Sequence, residues 1–209
     1  RLLSEGISEK KIVRTGDVML DASITFGKVA QENSTIIEDL GLKEQPFALC
    51  TLHRAENVDN LNTLTWMVEQ LNQVSEKIKI VLPLHPRTKA KLEQFSLFEK
   101  LSSNVKLIDP VGFLDVLSLQ QSSSIIITDS GGMQKEAFFQ KRPCVTVRTE
   151  TEWVELLVDG HNRLAKPMVD PLSQKVDEAL NATLDWSVEL YGNGQSSKTI
   201  AKALLERST

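Results

Sequence analysis

Cysteine is scarce in this chain, with two in 209 residues. Neither has a CxxC partner or histidines close by. Cys50 and Cys144 each sit inside an apolar, strand-like run, which predicts buried free thiols rather than a zinc site or a disulfide. Basic runs and aromatic ladders are missing as well. With a formal charge of −4 and both signs interspersed, the phosphate attraction that nucleic-acid binding needs is absent, and nucleic acid is excluded as a partner. No apolar window reaches the roughly 18 residues of a membrane-spanning helix, and the N-terminus lacks the charged start and apolar core of a signal peptide. The expectation is a cytoplasmic protein without membrane contact. There is no initiator Met, and "RLLSEGISEKKIVRTGD" reads as beginning in mid-structure, so a piece of a longer protein is expected.

Several nucleotide and catalytic signatures are also lacking. The ten glycines form no G-x-G-x-x-G and no G-x-x-x-x-G-K-[ST], which argues against a dinucleotide dehydrogenase and a P-loop NTPase. There is no G-x-S-x-G elbow and no cluster of metal ligands. Repeats and low-complexity tracts do not occur.

What is present is an ordinary globular composition, 41% hydrophobic and 25% charged. Short, nearly continuous apolar runs predict strands at Phe47–Leu52, Ile78–Leu84, Val105–Ile108, Ile125–Thr128 and Val145–Arg148. Helical spacing lies between them at Leu61–Glu76, Arg87–Phe95, Phe113–Gln121 and Gly132–Gln140. This alternation predicts an α/β fold with a doubly wound parallel sheet, Rossmann-like. Val18–Gly41 reads as one helix closing on Gly41, with "LKEQP" as a linker. "DPLSQKVDEALNATL" reads as a helix with Asp170 as N-cap and Pro171 at the first helical position, and "SKTIAKALLER" as a last helix. Three segments follow: residues 1–22 as the edge of an upstream domain, 23–45 as a connecting helix and linker, and 46–209 as the nucleotide domain with its C-terminal helices.

In an open parallel sheet, ligands bind outside the carboxyl ends of the strands. Polar groups fall at those ends here: His53, Arg54 and Glu56 after the first strand, His85 and Arg87 after the second, "DPVGF" after the third, "DSGG" after the fourth, Arg148 and Glu152 after the fifth. Any one of them could be a loop residue or a cap, and His161, after Gly160, reads as structural. The stretch "IIITDSGGMQKEAFFQ" is more pointed. A helix start exposes unpaired N–H groups and the positive end of the dipole. Ser130 adds a hydroxyl, and Gly131 and Gly132 let an anion approach without a Cβ in the way, so the segment reads as a phosphate cradle. The competing reading is a plain N-cap followed by a turn. Glu136, six residues beyond Ser130, stands roughly 9 Å along the axis at about 1.5 Å per residue, a place suited to sugar hydroxyls.

In order and spacing, "TGDVMLDA" (Thr15–Ala22), "TLHRAEN" (Thr51–Asn57), "LPLHPR" (Leu82–Arg87), "TDSGGMQKEA" (Thr128–Ala137) and "RTETEWVE" (Arg148–Glu155) resemble the nonhydrolysing UDP-N-acetylglucosamine 2-epimerases. The resemblance implies the C-terminal half of a GT-B-type protein of two Rossmann-like domains, working as a homodimer on UDP-GlcNAc and UDP-ManNAc without cofactor or metal. Members invert C2 by eliminating UDP to give 2-acetamidoglucal and adding UDP back. By the same resemblance Ser130, Gly131 and Gly132 hold the diphosphate, Glu136 binds the ribose, and Phe113 and Val116 form the uracil pocket. His53 lies at the sugar-diphosphate junction, where a cation stabilises the departing UDP. Arg54, Glu56 and His85 match a second, regulatory UDP-sugar site, with His85 alternatively lining the UDP pocket, and Arg148 and Glu152 border the cleft. The carboxylates that act on the C2 proton belong to the family's N-terminal domain, so this chain alone is expected to be inactive. Six residues in four motifs depart from the common bacterial pattern: Ala55 and Asp59 in "HRAENVD", Arg87 in "HPR", Lys135 in "QKE", and Trp153 and Val154 in "TEWVE". Rival readings are a GT-B glycosyltransferase donor domain, a hydrolysing 2-epimerase and a noncatalytic nucleotide-sugar sensor.

Overall fold

The computed structural model describes residues 2–207. Six strands form one sheet: β1 (Phe47–Thr51), β2 (Lys79–Pro83), β3 (Val105–Ile108), β4 (Ile125–Thr128), β5 (Cys144–Thr146) and β6 (Asn162–Leu164). The order is β3-β2-β1-β4-β5-β6 and every pairing is parallel. The helices are α1 (Val18–Asn33), α2 (Ile36–Asp39), α3 (Ala55–Val58), α4 (Leu61–Ser75), α5 (Pro86–Gln94), α6 (Phe113–Ser122), α7 (Gly131–Phe139), α8 (Glu155–Val158), α9 (Leu172–Leu180) and α10 (Ser196–Arg207). This is the doubly wound, Rossmann-like arrangement that the alternating pattern predicts.

Both faces of the sheet are covered, which is why its strands read as unbroken apolar runs. In β1 the side chains alternate between two cores. Ala48 and Cys50 join Leu64, Met67 and Leu71 of α4 and Val176 of α9 on one face. Phe47 and Leu49 join Val81, Leu119, Ile126 and Ala137 on the other. From β1 the chain winds outward to β2 and β3, then returns to lay β4 against β1's opposite edge. The switch point therefore lies between β1 and β4, and their carboxyl ends open a crevice there.

β3 and β4 coincide with their predicted spans, and β1, β2 and β5 differ only at their ends. Three expectations need correction. Val18–Gly41 is two helices, because Ser34 takes an extended conformation and its hydroxyl donates to Asp115 Oδ1 at 2.6 Å, tying the break to α6. Gly41, at φ +65°, closes the second of them. Asp170 does not cap α9: Pro171 stands at the N-cap, Asp170 Oδ2 accepts from the Lys166 amide at 2.9 Å, and Gln70 Oε1 of α4 accepts from the Leu172 amide at 2.7 Å. β6 is a sixth strand that the apolar pattern does not announce, since its three residues "NRL" form a short edge.

α1 is continuous from Val18 and packs against α6, α7 and α10, so the boundary drawn at residue 22 falls inside it. Asp17 caps α1 at the Met19 amide and also pairs with Lys135 of α7 at 2.6 Å, which docks the start of α1 beside the crevice. Gln140 donates to Ser23 Oγ at 2.7 Å farther along the same contact. Among the described residues, no helix is long and apolar enough to cross a membrane.

Cys50 and Cys144 are free and buried. Burial drives both thiols up, the charge of Asp129 adding to the effect at Cys50, while Cys144 is pushed up to about 12 despite an opposing hydrogen bond with Thr146. The native chain is expected to leave both thiols unmodified by iodoacetamide at pH 8, and the chain in denaturant to lose both. Mass spectrometry of timed samples measures this, and rapid single labelling of the native chain would contradict the buried assignment.

Candidate functional site

The site is built on α7, which starts after a two-residue gap beyond the end of β4, at the sheet's central crevice. Ser130 occupies its N-cap with extended φ/ψ, yet its side chain caps no helix amide, so the plain-cap reading is not what the structure contains. Instead the Ser130 amide donates to Thr128 Oγ1 at 3.0 Å, and the Ser130 carbonyl accepts from Gln134 Nε2 at 3.2 Å. The first amides of α7 have no partner within the helix and point outward with the positive end of the dipole. The first turn carries no acidic side chain of its own.

An acid arrives from elsewhere. A Cβ on Gly131 would run into Glu152 Oε1, so the carboxylate of Glu152 lies directly against the start of α7. Arg148 Nη1 donates to Glu152 Oε2 at 2.7 Å. Partial burial raises the Glu152 carboxyl, but hydrogen bonds from its own backbone amide and from Arg148, with the charges of Arg148 and Arg54, outweigh it and hold the group below its ordinary range. The loop that carries it is fastened to α7: Trp153 Nε1 donates to the Gly131 carbonyl at 2.8 Å, and Thr151 Oγ1 donates to Gln134 Oε1 at 2.6 Å. Gly132 faces Met19 Cε at ordinary contact distance, 3.6 Å from where a Cβ would stand.

Asp129, at the end of β4, is fully buried and collects the opposing loop. It accepts from the His53 amide at 3.0 Å, the Arg54 amide at 2.9 Å and Asn57 Nδ2 at 3.1 Å, and its Oδ1 lies 3.1 Å from His53 Nδ1. Asn57 Nδ2 also reaches the Val147 carbonyl at 3.0 Å, linking the loops after β1 and β5. With Nδ1 held by the carboxylate, Nε2 is the ring nitrogen that His53 offers a ligand, and the ring remains 42% exposed. Asp129 and Asn57 were not singled out by sequence. The available signal was an acid placed directly after the apolar run "IIIT".

His85 caps α5, its Nδ1 accepting from the Arg87 amide at 3.1 Å, and its ring lies 5.5 Å from that of His53. Arg54 and Glu56 form a loose pair at 3.9 Å on the rim. Glu136 lies farther along α7, half-buried, with Oε2 accepting from Gln120 Nε2 at 2.7 Å. Ser130, Gly131, Gly132, Arg148, Glu152, His53 and His85 are thus assembled around one crevice, with Glu136 on the helix that leads from it. Phe113 and Val116 sit on α6, and Phe113 is half exposed, meeting Phe26 edge-on at 5.8 Å.

Two of the departures from the bacterial pattern are partners in space. Arg87 forks onto Asp59, with Nε to Oδ1 at 2.9 Å, and this pairing holds the Asp59 carboxyl below its ordinary range. Lys135, which pairs with Asp17, also lies 4.3 Å from the ring centre of Trp153.

Residues 1–205 match the family described as UDP-N-acetylglucosamine 2-epimerase. The chain is 44% identical to a UDP-2,3-diacetamido-2,3-dideoxy-D-glucuronate 2-epimerase of Pseudomonas aeruginosa, over 97% of this chain and 56% of the relative. It is 40% identical to a UDP-N-acetylglucosamine 2-epimerase of Methanococcus maripaludis, over 95% of this chain and 56% of that protein. The crystal structure of the Methanocaldococcus jannaschii UDP-GlcNAc 2-epimerase in complex with UDP-GlcNAc and UDP superposes with a TM-score of 0.88 at 38% identity, covering 98% of this chain and 57% of that one. The chain therefore spans a little over half the length of the curated relatives it matches, and its fold is the Rossmann-like half of their GT-B-type architecture.

Asp129→Ala strips the acceptor from three buried or half-buried donors, a change expected to cost about 3–5 kcal/mol of folding stability. Urea unfolding monitored by circular dichroism measures it, and a loss below about 1 kcal/mol would remove Asp129 from its organising role.

Proposed function

The chain belongs to the UDP-N-acetylglucosamine 2-epimerase family, and from that membership we propose that it is the UDP-binding half of an enzyme interconverting UDP-GlcNAc and UDP-ManNAc. The observation that carries this reading is the juxtaposition, at the β1–β4 switch point, of the glycine-bearing start of α7 with a histidine held by a buried carboxylate.

Each group then has a task. Ser130, Gly131 and Gly132 receive the diphosphate at the helix tip, where unpaired amides and the dipole favour negative charge. Glu136 accepts from the ribose hydroxyls, and Phe113 and Val116 flank the uracil. In the elimination step the C1–O bond breaks, its electron pair leaves with UDP, and the C2 proton is taken by a base outside this chain. His53 Nε2, aimed by the Nδ1 contact to Asp129, stabilises the charge that develops on the departing phosphate. Re-addition of UDP to the 2-acetamidoglucal, with protonation of C2 from the other face, gives the epimer. Arg148 is positioned to exchange Glu152 for a phosphate oxygen as UDP enters. Arg54, Glu56 and His85, on the rim beyond His53, belong on this reading to the margin of a second UDP-sugar site. The working protein is proposed to be a cytoplasmic homodimer, a setting consistent with two thiols that remain free.

The P. aeruginosa relative is named for a diacetamido uronate, so that sugar is a second substrate reading. Both substrates share UDP on a 2-acetamido centre, and it is this shared part that the present half addresses.

Glu136→Ala is expected to weaken UDP binding by about 1–3 kcal/mol, the usual loss for a hydrogen bond to a charged group. Isothermal titration calorimetry reads it directly, and an unchanged affinity removes Glu136 from the site. Gly131→Val should abolish binding, because the new side chain stands where the diphosphate approaches, its Cβ meeting the end of Glu152 first and Trp153 Nε1 next at 4.0 Å; circular dichroism checks that the variant folds. For turnover, a protein joining this chain to the family's other half should form UDP-ManNAc from UDP-GlcNAc alone, followed by NMR. Consumption only with an acceptor would point to a glycosyltransferase, and free UDP appearing with released sugar to a hydrolysing enzyme.

A further inference from the structure

Gln120 stands in the last turn of α6, fully buried beneath α7. Its Nε2 donates to Glu136 Oε2 at 2.7 Å and lies 2.8 Å from Met133 Sδ. Its Oε1 is buried and has no hydrogen-bond partner among the described residues. An amide oxygen in that situation costs stability, and a thioether or alkyl side chain of the same length would fill the space without that cost. Packing alone therefore gives no reason for glutamine here. What the amide supplies is a donor to one oxygen of a half-buried carboxylate.

That donor matters for recognising a diol. A free glutamate side chain on a helix samples several rotamers, and each bond it makes to a ligand must first overcome that freedom. With Oε2 anchored by Gln120, the carboxylate plane is set and Oε1 remains to accept from a ligand hydroxyl. We propose that Gln120 is a positioning residue for ribose recognition: it fixes the Glu136 carboxylate so that the nucleotide's vicinal hydroxyls meet an oriented acceptor, without itself touching the nucleotide. The inference rests on the reading of Glu136 as the ribose ligand.

The test compares UDP with 2′,3′-dideoxy-UDP by calorimetric titration of the chain, alongside Gln120→Met, Gln120→Asn and Glu136→Ala. The unaltered chain should prefer UDP by about tenfold or more, the scale of a hydrogen bond to a charged group. Met removes the donor at constant length, and Asn withdraws it by one methylene. Both should keep the affinity for the dideoxy nucleotide and reduce the preference to about threefold or less, with melting temperatures near that of the unaltered chain. Adding Gln120→Met to Glu136→Ala should change the preference no further, as expected for two residues acting through one contact. A folded Gln120 variant that keeps the full preference overturns the proposal. Loss of folding in both variants would make Gln120 a core strut and overturn it equally. If the unaltered chain binds both nucleotides alike, the ribose role of Glu136 fails first, a result separable from failure at Gln120 alone.

Discussion

A single buried carboxylate holds this site together. Asp129 closes the central strand β4 and has no exposed surface, so its charge is tolerable only because amide and side-chain donors surround it. Those donors come from residues 72 to 76 positions away in sequence. The carboxylate therefore converts a pairing of neighbouring strands into a fixed relation between two loops. Thr51 and Thr128, whose hydroxyls meet at 2.7 Å just before those loops, reinforce the same join. Because Ser130 follows Asp129 directly, the position of His53 relative to the helix tip is set by one residue's geometry. A ligand spanning the two would find both halves already in place, so little ordering cost would be charged against its binding.

Four of the six departures from the bacterial pattern make sense as local pairs; nothing in the structure explains Ala55 or Val154. Aspartate at 59 and arginine at 87 lie after different strands, yet they form one forked contact across the loop ends. Lysine at 135 would be an uncompensated buried cation if nothing else changed. It is 7% exposed, and it is offset by Asp17 on one side and by the π-face of Trp153 on the other. That arrangement also pins the start of α1 and the loop after β5 to the flank of α7. The substitutions thus leave the helix tip itself untouched while altering what braces it.

Much of the fold was legible because double burial writes itself into sequence as continuous apolar runs. β4, with all four residues buried, is the clearest instance. β6 was not legible, because a three-residue edge strand with polar members carries no periodic signal, and its register comes from pairing with β5. The break at Ser34 and the start of α9, which Asp170 does not cap, escaped for a related reason: in each case a partner remote in the chain, Asp115 or Gln70, takes part in the local geometry. The site divides in the same way. Residues whose role is set by local geometry, such as Gly131 at a helix start, could be named from a short window. Asp129, Asn57 and Gln120 act through long-range contacts, and only the three-dimensional arrangement shows which buried polar groups they satisfy.

Glu152 shows how such a site can be selective without being empty. Its carboxylate lies on the helix tip and is paired with a nearly buried Arg148, 11% exposed. The tip therefore already has a single negative charge beside it. On the proposed reading, a diphosphate must replace that contact and not merely add to it, since a glutamate and a phosphate against Gly131 would repel at short range. A diphosphate brings more charge and more acceptor oxygens, and it can take over Arg148 and engage the free amides as well. The exchange consequently favours the ligand with the larger anionic charge, and the discrimination arises from the difference between two occupied states of the same helix tip.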